Sequence, residues 1–299
     1  MLSKIKLCVF FLFLTCLNPL LQAEEKVEIS PAATAPFKKA LIIILENEKY
    51  DQALAQPYLA RLTKQGALLK NYHGVSHPAQ PNYLALVGGN TFGVRNDHPV
   101  TLDEKNIVDL LEPHGKTWKV YAEGYPGKCF TGSRSHQYSK KHNPLISFKD
   151  IQDNPKRCEN VVDASQFSED LKNNKIPDFS MFIPNQLNSG HDSDVKYATK
   201  WLEKFLDPLL KDASFMHDTL VVVTFSQSDY MAKENKVYTV LLGAGIMPGA
   251  ASDEHYDHYN LLRTIEDFFG LGTLGKNDAK AKSIAGIWQE PKEPAAKSN

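Results

Sequence analysis

Two short apolar runs, KALIIIL at 39–45 and TLVVVTF at 219–225, constrain this chain more than any other feature. Each is continuous rather than alternating, rich in β-branched residues, and bounded by polar positions. Runs of that length suit strands buried on both faces rather than core helices. Such a strand needs a layer on each side, and the usual cover of a parallel sheet is helical. The intervening sequence supplies helices in alternation with further strands. PYLARLTKQG at 57–66 has helical spacing and a closing glycine, and NIVDLLEPHG at 106–115 is a short helix with the same stop. VKYATKWLEKFLDPLL at 195–210 and NLLRTIEDFFG at 260–270 are amphipathic helices. ALLKNYHGV at 67–75, KTWKVYAE at 116–123, FSMFIP at 179–184 and VYTVLLGAG at 237–245 read as strands. The expected fold class is α/β, a central mostly parallel sheet with helices on both faces.

Composition agrees with a globular chain. Of 299 residues, 42% are hydrophobic and 23% charged, and the formal net charge is -1. That balance gives no reason to expect nucleic acid as a partner. MLSKIKLCVFFLFLTCLNPLLQA at 1–23 has a basic start, a short apolar centre and a small-residue end, the pattern of a cleaved signal peptide. An uncleaved anchor is the competing expectation, but the apolar centre falls short of the roughly 20 residues a span needs. No other run is long enough to cross a membrane, so no span is expected once the signal is removed. The implied location is secreted or periplasmic. Residues 24–37 read as a polar linker, 38–290 as one domain and 291–299 as a disordered tail. Cys129 and Cys158 are the cysteines left after the signal. In an oxidising compartment this pair is expected to form a disulfide, worth about 3–4 kcal/mol by loop entropy. Two buried free thiols are the alternative. Residues 124–165 carry both cysteines and no clear periodicity, and read as a long excursion over a site.

In open α/β sheets, ligands bind at the carboxyl ends of the strands. Glu46-Asn47 follows the first buried strand, Asn188 to Asp192 follows FSMFIP, and Ser226-Gln227-Ser228-Asp229 follows VVVTF. These three elements can converge on one crevice. A fourth stretch, HPAQPNY at 77–83, ends a polar turn and opens the apolar run LALVGG, so a helix begins there. It carries an alanine, Ala79, in a turn that is otherwise polar.

Six motifs together resemble a known family: ILEN (44–47), SHPAQPNY (76–83), KHNP (141–144), IPNQLNSGHD (183–192), VVVTFSQSD (221–229) and YDHYNLLRTIED (256–267). They resemble the secreted phosphoesterase family that contains the fungal-type acid phosphatases, over roughly residues 38–290. The resemblance implies a fold related to alkaline phosphatase and hydrolysis of phosphate esters with a bound divalent metal. It also implies site roles. His77, His191 and His258 fall at catalytic positions, and Asn82, Lys141, His142 and Asp192 at substrate-binding ones. Glu46, Asn47, Ser226 and Gln227 fall at metal-ligand positions.

The chain departs from the family pattern at two places. The family turn resembles HPSxPNY, with a serine nucleophile; here that position is Ala79, and a methyl group has no lone pair with which to attack. After the VVVTF-like strand the family has an Asp followed by Glu or Asp, where this chain has Ser226 and Gln227. Hard cations want anionic oxygen, so the expected divalent metal is weakly held or lost. The resulting expectation is a catalytically impaired member that keeps an anion-binding pocket. Its partner would be a phosphate-bearing or other anionic small molecule, or a protein. The rival expectation is an active hydrolase with rearranged machinery. Ser76, His77, His191 or water would then attack, with Asp229 recovering a metal contact.

Bland readings stand beside these. Glu46-Asn47 suits a strand-end cap, His77 a helix cap, His191-Asp192 a structural pair, and Lys141-His142 a basic surface pair. Trp201, Phe205 and Leu209 at helical spacing are core.

Overall fold

The computed structural model describes residues 37–289. The expected leader and tail lie outside them, as does the linker up to residue 36. Phe37, read as the end of that linker, is a core residue. It is buried, and its ring packs 5.0 Å from Phe268 and 6.1 Å from Trp288, centroid to centroid.

The main sheet has eight strands. They are β1 (Lys39–Leu45), β2 (Ala67–Leu69), β3 (Trp118–Ala122), β4 (Val161–Asp163), β5 (Phe179–Ile183), β6 (Thr219–Phe225), β7 (Thr239–Gly243) and β8 (Ala251–Ser252). Their spatial order is β8-β2-β7-β6-β1-β5-β3-β4. Only β7 runs antiparallel to its neighbours, β2 and β6; every other neighbouring pair is parallel. The two apolar runs that define the sequence are the adjacent central strands β1 and β6. Every residue of β6 and all but the first of β1 are buried. Successive side chains on a strand point to opposite faces, so both faces of the sheet are covered, and the α/β expectation holds.

Several local expectations are corrected. ALLKNYHGV is not one strand. Ala67–Leu69 joins the main sheet, and Tyr72–His73 leaves it to pair with Tyr256–Asp257. The VYTVLLGAG strand starts later, at Thr239. The last long helix begins at His258 rather than residue 260, because Asp257 and Asn260 close a reciprocal capping box. The stretch 124–165, read as an excursion without clear periodicity, has local structure of its own. It contains a two-stranded ribbon, short helices and the edge strand β4, and the expected Cys129–Cys158 disulfide ties it together.

The helix that opens within HPAQPNY spans Ala79–Gly88 and is buried at all ten positions. It packs on the His258–Phe269 helix. There Glu266 is 0% exposed, and neither carboxylate oxygen has a hydrogen-bond partner. Burial, and next the negative charge of Asp278, push its carboxyl up to about 9. A folded-state value above the unfolded one means that this stability is whole below pH 4.5 and is lost as pH rises toward 9. At about 1.4 kcal/mol per pH unit, Glu266→Gln should remove about 2 kcal/mol of the stability lost between roughly pH 5.5 and 7. Urea melts of both proteins at the two pH values check this, and parallel pH profiles would contradict it.

Candidate active site

The crevice lies at the carboxyl ends of β1, β5 and β6. The parallel register pairs Leu45 with Phe225, which sets Glu46 beside Ser226 as the chains leave the sheet. Glu46 is 2% exposed. Its Oε1 accepts a 2.5 Å hydrogen bond from the Tyr83 hydroxyl, while Oε2 has no partner. That free oxygen faces His142 Nε2 across 3.6 Å, and the imidazole lies stacked on Tyr83. Burial pushes Glu46 up to about 7, against the opposing pull of Tyr83, the nearby Ser226 hydroxyl and the Lys141 charge. Burial also drives His142 well below the ordinary imidazole value, helped by Lys141 and His191. The two groups shift in opposite directions, each toward its uncharged form, which works against an ion pair between them.

Asn47 adopts a left-handed backbone, φ 51°, which asparagine tolerates. Its Oδ1 accepts a 2.7 Å bond from Gln227 Nε2. Gln227 Oε1 and Ser226 Oγ are buried and unpartnered. These four residues do not fit a hard divalent cation. They offer one carboxylate, already bonded to Tyr83, and the Asn47 oxygen is taken by an amide. Among the described residues no group of three or more His, Cys, Asp or Glu side chains could hold a metal ion.

Ala79 is the first residue of its helix and is buried. The next N–H, that of Gln80, donates to Asp97 Oδ1 at 3.0 Å. Lys141 Nζ donates to the other oxygen of Asp97 at 2.8 Å and lies 3.0 Å from His191 Nε2. A lysine ammonium only donates, so His191 accepts at Nε2 and carries its proton on Nδ1, 2.7 Å from Asp192 Oδ1. Asp192 Oδ2 accepts from Arg134 at 3.0 Å. Partial burial pushes Asp192 up, but the bonds from His191 and Arg134 outweigh it and hold the carboxyl below its usual range. The His77 ring packs tilted against Tyr230, centroids 4.8 Å apart, and its Nδ1 is buried without a partner.

Two sequence candidates present no free group to the crevice. Asn82 Oδ1 accepts from the Val75 and Ser76 N–H groups, and its amide donates to the Ser76 and Pro78 carbonyls. His258 Nε2 lies 2.7 Å from the Ser226 carbonyl, and Nδ1 lies 3.1 Å from the Tyr72 hydroxyl. A carbonyl only accepts, so Nε2 carries the proton; burial lowers the imidazole below its ordinary value.

The pattern that defines the Phosphoesterase family matches residues 48–272. The chain belongs to the phosphoesterase family. Over 276 residues it is 39% identical to a probable acid phosphatase of Kluyveromyces lactis, covering 88% of this chain and 65% of that protein. The chain thus spans less than two thirds of that relative. It is 30% identical to a phosphatidylinositol-3-phosphatase of Mycobacterium tuberculosis, covering 89% of this chain and 88% of that one. A solved alkaline phosphatase superfamily protein from Vibrio parahaemolyticus shares the fold. Its TM-score is 0.55 at 13% identity, over 87% of this chain and 76% of that chain.

Sequence reading of this phosphoesterase missed Tyr83, Asp97, Gln80 and Arg134. Tyr83 lay inside a quoted motif and carried a signal, since a buried tyrosine needs a partner for its hydroxyl. Asp97 reaches the site from a loop and Arg134 from the two-stranded ribbon, neither with a local mark.

Proposed function

We propose that this protein is a secreted, acid phosphatase-like phosphoesterase whose catalysis is impaired, with residues 38–290 as one domain and an anionic ligand in place of a turned-over substrate. The observation that carries the reading is at the start of the Ala79–Gly88 helix. Ala79 offers a methyl group where the family motif has its nucleophile, and the Gln80 N–H that follows already binds a carboxylate. The unsuitable donor set around Glu46 supports it independently. Two substitutes for the nucleophile are engaged: Ser76 Oγ donates to the His77 carbonyl at 3.2 Å, and His191 lies between Lys141 and Asp192. Asp229, the rival source of a metal contact, accepts at Oδ1 from the Met231 N–H. Among the described residues no helix is long and apolar enough to cross a membrane.

The test is hydrolysis of 4-nitrophenyl phosphate across roughly pH 4–8, with and without Mg, Mn, Ca or Zn, at rates above the uncatalysed control. No turnover is expected in any condition. Turnover that co-purifies with the protein and vanishes in His191→Ala would refute the reading.

A further inference from the structure

Asp97 lies within the irregular stretch that follows the Ala79–Gly88 helix. Gln80 is buried, and its side-chain Nε2 donates to the carbonyls on either side of Asp97, to Asn96 at 3.1 Å and His98 at 2.8 Å. Its backbone N–H binds the Asp97 carboxylate itself. One residue therefore fixes the backbone of the loop and receives the anion that the loop presents. The second carboxylate oxygen lies on the Lys141 ammonium, which also contacts His191. A helix start and a lysine converge on one anionic group, with His191 holding the lysine, and form an oxyanion cradle. The crevice around it holds buried polar atoms without partners: Glu46 Oε2, His142 Nε2, Ser226 Oγ and Gln227 Oε1. His142 connects them to the cradle, its ring 5.4 Å from His191.

We propose that this cradle is a binding site for a small tetrahedral oxyanion, of the phosphate class, and that Asp97 is its built-in occupant. The inference rests on reading the crevice as a retired phosphoesterase centre. A phosphate would use the same Gln80 N–H and Lys141 ammonium, and it would meet the negative charge of Asp97 on approach. Like charges a few ångströms apart in a partly buried site repel strongly enough to weaken binding by roughly ten- to a thousand-fold. Asp97 therefore holds the site closed to phosphate while it stays in place.

Calorimetric titration of the full chain with inorganic phosphate tests this, comparing wild type with Asp97→Asn and Asp97→Ala. Asp97→Asn keeps an oxygen for the Gln80 N–H and removes the charge; Asp97→Ala vacates the cradle. Both variants should bind phosphate at least about tenfold more tightly than wild type, at the low end of that repulsion. Sulfate should compete where chloride does not, and adding Lys141→Ala to Asp97→Asn should abolish the gain. Equal phosphate affinity in all three proteins, with unchanged circular dichroism, overturns the proposal. So does failure of both variants to fold, because a resident ligand is dispensable and a structural cap is not. Turnover by wild type would instead defeat the impaired-enzyme reading, and phosphate affinity is measured without any chemistry.

Discussion

Ala79→Ser combined with Ser226→Asp and Gln227→Glu should turn a protein indifferent to divalent cations into one stabilised by them. Glu46 and residue 226 leave adjacent parallel strands in register, so a carboxylate at 226 would stand beside the existing one. Replacing Gln227 also releases Asn47 Oδ1 from the amide that now occupies it. Without a cation the variant should be less stable than wild type, since two or three like charges then share a buried site. With one, binding to the folded state adds RT ln(1 + [L]/Kd). At 1 mM Mn and a dissociation constant of ~10 μM that is about 2.7 kcal/mol, or a melting temperature roughly 5–10 °C higher for a domain of this size. Thermal melts in Mn and in EDTA decide the matter, with wild type unchanged between them. A variant that melts at the same temperature in both would show that the scaffold around Glu46 no longer describes a metal site.

The central sheet was legible because burial on both faces leaves a mark in composition: β1 and β6 are unbroken apolar runs, and little else packs that way. Their ends located the crevice before any contact was known. Features set by contacts distant in sequence were not legible. The edge strand β4 is three residues long and pairs only with β3, so no periodicity announces it. The Ala79–Gly88 helix is buried all round, which erases the polar face that amphipathic reading needs. Within the site, residue type misled where the chemistry was already satisfied. His258 carries a histidine's credentials, yet both its nitrogens hold the framework, one on the Ser226 carbonyl and one on Tyr72. Asp97 was passed over for the opposite reason. It stands in an exposed-looking polar loop, and only the fold brings it onto the Gln80 N–H, 17 positions away in the chain.

Asn82 offers the sharpest separation between a residue that binds ligand and one that builds the site. Its side chain is 1% exposed and makes four hydrogen bonds to the turn 75–78, two as acceptor and two as donor. Asn82→Ala strands the Val75 and Ser76 N–H groups and the Pro78 carbonyl together, while the Ser76 carbonyl keeps its bond from Asn235. An unsatisfied buried polar group costs about 1–3 kcal/mol. Val75 and Ser76 are only half-buried, so water would recover part of the loss. The expected destabilisation is about 4 kcal/mol, in the range reserved for breaking a buried network. The denaturation midpoint in urea should fall by more than about 1 M. Asn82→Asp should fall between, because it keeps the acceptor oxygen for the Val75 and Ser76 N–H groups and loses both donors. The two roles then part cleanly. A ligand-binding asparagine would change phosphate affinity and leave the melt nearly alone, whereas a turn-building one must change the melt first. A loss below about 1 kcal/mol in Asn82→Ala would move Asn82 from the framework to the ligand side of the crevice.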